Sequence, residues 1–314
     1  MSSIKKPLLA LGLTLTFANA AFAETLTVSG WYAAEERSVA ILHTLSVDRF
    51  DGDEGPSLVS EIERELRGAQ DRDHKPYFDV RSRYAKTEGV VHGDIRVRIE
   101  NVNFTRKVKR CADNIYSTKC KDEAKIQVDL YCLRRMVTTV ANVHVTRLSD
   151  DSRIYSRILP QRHESESCEG EQKASDIDNV VATLVRRIAD EFVGQITPFA
   201  RTEKIRIRET RNGLGKEDGN QMKSLIAATK TSEAAACEGW RDMEQRGVSH
   251  PTLKFNLGIC AESAGQLDVA LGYYRPLAVA SQNSADVNEA IKRVERRIAG
   301  EQDDTSRKKA EVKS

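Results

Sequence analysis

The residues of this chain best suited to chemistry are its six cysteines: Cys111, Cys120, Cys132, Cys168, Cys237 and Cys260. Thiolates at C-x-x-C spacing would hold zinc, but no two of these form such a pair, so metal is the weaker reading. An even count points to disulfides in a chain exported to an oxidising compartment. Cysteine positions alone leave many connectivities open. Pairing of sequence neighbours is the expectation: Cys111–Cys120 brackets a polar loop, Cys132–Cys168 joins a strand end to the segment after a neighbouring hairpin, and Cys237–Cys260 joins consecutive helices. His43, His74, His92, His144, His163 and His250 fall in separate elements without His-x-x-x-His spacing, which suits surface or packing roles. There is no Gly-x-Ser-x-Gly elbow, and oxidised cysteines cannot serve as nucleophiles. The acid clusters Asp51, Asp53, Glu54 and Asp150, Asp151 stand in turn sequences, where short polar side chains cap backbone groups. The pattern predicts a non-catalytic protein with no cofactor and no metal.

Two further stretches invite a ligand. Arg106, Lys107, Lys109 and Arg110 run directly into Cys111 and could touch an anionic glycan or phospholipid; the favoured reading is an edge strand that charge protects from sheet-to-sheet pairing. Aromatic residues are too sparse around it for a nucleobase platform. Residues 209–220 hold Gly213, Gly215 and Gly219 among polar residues, but no Gly-Lys-Ser/Thr follows, so they read as a linker and not a phosphate loop.

The N-terminus has a basic Lys5-Lys6 pair, an apolar run from Pro7 to Phe17, and Ala21-Phe22-Ala23 before Glu24. That order predicts a signal peptide over 1–23, because the apolar run is well short of the roughly 20 residues of a membrane span. Removing it takes away two lysines and no acid, which leaves acids and bases in balance. A chain without net charge has no global field for nucleic acid or anionic lipid. The expectation is a soluble periplasmic or secreted protein, with no nucleic acid and no stable membrane insertion.

The elements that must position these residues fall into two groups. Val39 to Leu42 is a short apolar run, read as a buried strand; Leu58, Ile62 and Leu66 recur at helical spacing; Tyr77 to Arg81 returns as a strand. Period-two alternation then marks 91–99, 126–132 and 137–145, and 153–158 closes a hairpin with the last of these. A long helix carries Val181, Leu184, Val185, Ile188, Phe192 and Ile196 on one stripe and stops at Thr197-Pro198; Lys204 to Arg208 reads as an edge strand. Beyond the linker, helices are expected over 222–229, 232–245, 252–264, 267–280 and 285–299, with a disordered charged tail over 301–314. The predicted fold is an α+β domain over 24–208, a mixed sheet with two main packing helices, followed by an all-α domain over 221–300.

Leu257-Gly258, Gly265, Ala270, Tyr274 and Leu277 resemble a tetratricopeptide repeat. One repeat length upstream, about 34 residues, Ala236, Trp240 and Met243 answer Ala270, Tyr274 and Leu277. The resemblance covers 217–284 and implies a concave face lined by Leu225, Thr229, Phe255, Ile259, Glu262 and Ser263 that holds a peptide, while Leu257, Cys260, Ala261 and Ala264 turn to the paired helix. Phe255 packing on the 222–229 helix is the rival reading. Residues 38–200 are similar to the domain shared by curli secretion channel lipoproteins, penicillin-binding-protein activator lipoproteins and the TolB amino-terminal domain. Ser38 to Leu42, the 57–67 helix before Phe78-Asp79-Val80, Val90 to Asp94, and Ile196-Thr197-Pro198 carry that likeness. Together the resemblances imply an adaptor for an envelope protein or peptide in assembly, secretion or cell-wall synthesis. A subunit of an outer-membrane channel and a cell-wall enzyme are the alternatives.

Overall fold

The structure is a computed structural model that describes residues 24–170, 176–280 and 284–311. The predicted signal peptide over 1–23 lies outside the described residues. An α+β region with a mixed sheet is followed by an all-helical region. The elements in chain order are β1 (Thr25–Tyr32), α1 (Arg37–Ala40), β2 (Thr44–Asp51), α2 (Gly55–Gly68), β3 (Asp79–Arg81), β4 (Gly89–Cys111), β5 (Lys125–Arg147), β6 (Ser152–Cys168), α3 (Ile177–Ile196), β7 (Phe199–Arg206), α4 (Lys216–Ala228), α5 (Glu233–Gln245), α6 (Pro251–Ser263), α7 (Leu267–Ala280) and α8 (Ala285–Glu311). The described residues divide into two compact units, 29–202 with 284–311, and 24–28 with 203–280. Strands β1 and β7 pair as a separate two-stranded sheet.

In the α+β unit the five-stranded sheet has the order β3-β2-β4-β5-β6. Strand β2 is parallel to β3 and β4, whereas β4, β5 and β6 form antiparallel ladders. Helices α2 and α3 pack on one face. Leu58, Ile62 and Leu66 of α2 and Leu184, Val185, Ile188 and Phe192 of α3 meet Val91, Ile95, Val137, Ala141 and Val143 in one core. Alternation explains the other face: the residues between these, His92, Asp94, Asn142 and His144, stay only partly covered.

Four expectations need correction. Val39 to Leu42 does not form a strand; α1 and its following turn occupy that run, with Val39 and Ala40 buried, and the strand begins at Thr44. A short apolar run has too few residues for its period to separate strand from buried helix. Residues 25–32, assigned no element from the sequence, form β1 with Leu26 and Val28 turned inward. The linker over 209–220 is half helix, since α4 starts at Lys216. Finally, 301–311 is not disordered. Helix α8 continues to Glu311 and belongs to the α+β unit, not to a helical domain over 221–300.

The end of α8 is held by charge. The Arg37 guanidinium donates to both carboxylate oxygens of Asp303 at 2.9 and 2.6 Å. Arg307 lies 4.1 Å over the Tyr77 ring and donates to the carbonyls of Ala40 (2.9 Å), Leu42 and Tyr77. Arg296 donates to the Ala33 carbonyl at 2.9 Å. Apolar periodicity cannot reveal a helix face whose partners are carbonyls and a guanidinium.

In the helical unit, α4 packs on α5, α5 on α6 and α6 on α7. Trp240 and Tyr274 are fully buried. A Cβ at Gly258 would stand 2.3 Å from a ring carbon of Tyr274, so only glycine lets this ring seat. Ser232 caps α5 by accepting from the Ala235 amide at 3.2 Å, and His250 with Pro251 opens α6.

Candidate docking site

The face of α6 expected to line a groove is already occupied. Phe255 is 2% exposed and Ile259 and Glu262 are 0% exposed. The Arg208 guanidinium sits 4.4 Å over the Phe255 ring, and the Tyr274 ring lies 5.7 Å away. Glu262 accepts from the Tyr274 hydroxyl at 3.3 Å, and exposed Ser263 donates to the Thr27 carbonyl at 2.8 Å. Asn256 receives the Arg208 amide at 2.9 Å and donates to the Arg208 carbonyl at 3.0 Å. Thr229 is buried with its hydroxyl on the Ile226 carbonyl, and half-buried Leu225 fills the space above Gly239. The chain's own extended segments, at Thr27 and at Arg208, lie where a peptide was expected. These six residues are therefore not an open binding face.

All six cysteines are paired, as Cys111–Cys120, Cys132–Cys168 and Cys237–Cys260, with Cα separations of 5.9, 4.0 and 5.7 Å. The first two shape an unusual feature of the α+β unit. Strands β4 and β5 are each 23 residues long and pair without interruption from Gly89 with Arg147 to Cys111 with Lys125. The β2 ladder on β4 ends at Asp94, and the β6 ladder on β5 begins at Cys132. From Thr105 paired with Tyr131 outward, the hairpin is therefore a two-stranded blade.

A bare two-stranded ribbon is marginal in water. Here Leu130, Cys132 and Cys168 form a small separate core with Phe104, Val108 and Val128 against it. The Cys111–Cys120 loop places Tyr116 against Gly170, and each disulfide stabilises by about 2–4 kcal/mol. The opposite face carries Tyr131, 67% exposed. Around it Asn103, Thr105, Leu133, Ser167 and Glu169 line an open concavity of about 730 Å³. Lys107 and Lys109 are exposed beyond it. The predicted basic edge segment is thus the outer half of β4, whose side away from β5 meets no described strand.

His92 and His144 are direct cross-strand partners, with ring centroids 5.6 Å apart and His92 Nε2 hydrogen-bonded to Thr146 Oγ1 at 3.0 Å. Both are held below the ordinary imidazole pKa, first by burial and then by the Arg153 guanidinium. The sequence reading placed them in separate elements without paired spacing. The available signal was the polar tip loop: folding the chain about Thr118 brings His92 onto His144. A second cleft, of about 640 Å³, lies outside the carboxyl ends of parallel β2 and β3, with Val47, Phe50 and Val59 in its walls and Arg83 4.6 Å over Tyr84 at its mouth. Among the described residues, no three His, Cys, Asp or Glu side chains are grouped to hold a metal ion, and no helix is long and apolar enough to cross a membrane.

No family model matches the chain, and no curated protein matches it. Among solved structures, a PelC variant dodecamer from Paraburkholderia phytofirmans is similar at 13% identity and TM-score 0.22, over 53% of this chain and 94% of that one. A second PelC dodecamer from the same organism gives 11% identity, 53% and 95% coverage and TM-score 0.22. A minor lipoprotein from Acinetobacter baumannii gives 8% identity, 49% and 91% coverage and TM-score 0.22, and at such scores none of the three bears on function.

Proposed function

We propose that the chain is a non-catalytic adaptor of the bacterial cell envelope, periplasmic or secreted, which docks an envelope protein on the blade formed by β4 and β5. The observation that carries this reading is the blade itself. Its outer half contributes nothing to the main core, yet it has a core of its own and two disulfides that hold it rigid. Rigid, exposed arms bearing an aromatic residue suit recognition, because little conformational entropy is lost when a partner binds. Three disulfides fit an oxidising compartment. The tetratricopeptide-like helices then act as a packed support, not an open groove.

Photo-crosslinking in envelope extract tests the proposal. A crosslinking amino acid at Tyr131 or Ile126 is expected to capture a discrete partner, and the same group at exposed Val279 in the helical unit is not. Equal capture from Val279, or none from the blade, would contradict it.

A further inference from the structure

The ladder geometry tells which backbone groups the blade leaves open. The Ala112 amide bonds the Ala124 carbonyl, inside the hairpin, whereas the Cys111 amide turns the other way to the Ser117 carbonyl. Alternation along an antiparallel strand then fixes every residue between. Even-numbered residues of β4 bond β5, and odd-numbered residues point their N–H and C=O away from it. The parallel ladder of β2 on Gly89, Val91 and Gly93 uses these outward groups. Gly52 continues the cover, since a Cβ there would lie 2.0 Å from the Ile95 carbonyl oxygen. From Val97 to Lys109 no described strand pairs with this edge.

The other long edge of the sheet is blunted. The Glu169 amide bonds the Tyr131 carbonyl, so the outward positions of β6 are the even ones, and Pro160 removes the outward donor in the middle of that strand. Strand β4 holds no proline from Gly89 to Cys111. At the inner end of its open edge is a slot of about 490 Å³ with Val97 and Ile99 on one side and Ile177 and Val181 of α3 on the other; Asp53, Glu54 and Asp178 also line it, so the slot suits apolar side chains and the partner's carboxylates belong farther out, beside the bases. A strand laid along β4 would send alternate side chains into this slot. Farther out, Arg106, Lys107, Lys109 and Arg110 flank the edge on both faces of the ribbon, with no acid between Thr105 and Cys111.

Building on the proposed docking role, we infer that the edge Val97–Lys109 of β4 is a strand-addition site for an extended, carboxylate-bearing segment of a partner protein, with apolar side chains entering the slot beside Ile99 and Ile177. Main-chain hydrogen bonds would supply affinity, and the slot and bases would set register and direction. A second copy of this chain is a poor occupant. Antiparallel self-pairing centred on the outer bases would set Arg106 against Arg110 and Lys107 against Lys109, and β6 presents Pro160; pairing centred on Asn103 would instead oppose Arg106 and Glu100, so dimer formation is an outcome that the test reads.

The test uses the full disulfide-bonded chain and a fluorescent octapeptide of alternating valine and glutamate, with its valine–lysine counterpart as control. The acidic peptide is expected to bind and the basic one not. Asn103→Pro removes one outward amide without touching the β5 ladder, and Lys107→Glu with Lys109→Glu reverses the charge. Each is expected to weaken binding at least tenfold, while the melting temperature of the charge variant stays near that of the parent. Peptide binding should also slow hydrogen exchange at Asn101, Asn103 and Thr105, and not at Val102 or Phe104. No acidic-peptide binding, binding indifferent to both variants, or concentration-dependent dimers lost in the charge variant would overturn the inference. If Tyr131 still crosslinks a partner in the Asn103→Pro chain at parental yield, strand addition fails while blade docking stands. Loss of the Tyr131 crosslink in the parent removes the docking role itself.

Discussion

Arg307 shows how one side chain can replace an apolar contact. Its guanidinium reaches the carbonyls of Ala40, Leu42 and Tyr77 at once; the Ala40 carbonyl also accepts from the Tyr77 hydroxyl at 2.8 Å, so Arg307→Ala takes from the Leu42 and Tyr77 carbonyls their side-chain donor under the end of α8. A loss of roughly 3 kcal/mol or more in chemical denaturation is expected, because an unpaired buried polar group costs far more than an exposed bond gains. Phe255 gives the opposite kind of test. If it is a core residue under Arg208 and Tyr274, Phe255→Ala lowers stability by about 3–5 kcal/mol; an unchanged melting curve would return it to a surface role. The histidine pair sets a pH dependence. His92 sees Arg153 and Asp48, and His144 sees Arg153, His92 and Asp94. With both folded pKa values below the ordinary 6.5, the unfolded chain binds more protons as the medium acidifies. Stability is then full above about pH 6.5 and falls as pH drops from there through the lowered folded pKa. Urea midpoints between pH 7.5 and 5 should decline for the parent and decline less for His92→Gln with His144→Gln.

At the scale of elements, legibility followed the physics of each contact. Helices α2 and α3 and strands β4 to β6 were readable because their inward faces are apolar at one period: Leu58, Ile62 and Leu66, or Val137, Ala141, Val143 and Val145. The cysteine pairing was readable because each pair closes a local unit. Strand β1 was not, since its inward alternation at Leu26 and Val28 breaks at Ser29-Gly30 and its partner β7 lies far along the chain. The peptide groove failed for a related reason: nothing local in α6 announces that Thr27 and Arg208 return to cover it. The outer half of β4 was read only as a charged edge, because Thr105 to Arg110 lacks apolar alternation on a blade with little core. Its order should therefore rest on covalent clamps. In Cys132→Ser with Cys168→Ser, hydrogen exchange is expected to rise over 102–111 and 125–132 while Val91, Ile95 and Val143 stay protected. Uniform acceleration across the sheet would place this disulfide in the main core instead.

At the scale of the whole molecule, the proposal assigns folding and recognition to separate parts. The α+β unit closes its main core with α2, α3 and the inner halves of its strands, and α8 is tied to it by Arg37 and Arg307. In the helical unit Phe255, Ile259 and Glu262 of α6 are buried. Among the described residues the outer blade adds nothing to the main core, and it is there that we propose the partner docks. The direct measurement is a comparison of the parent with a chain in which 103–133 is replaced by Asn-Gly and Cys168 by serine. Val102 and Arg134 then flank a two-residue hairpin turn in their existing register. The account predicts a melting temperature close to that of the parent and loss of the envelope proteins crosslinked and purified with it. Retention of the same proteins at the same yield by the well-folded, blade-less chain would contradict it.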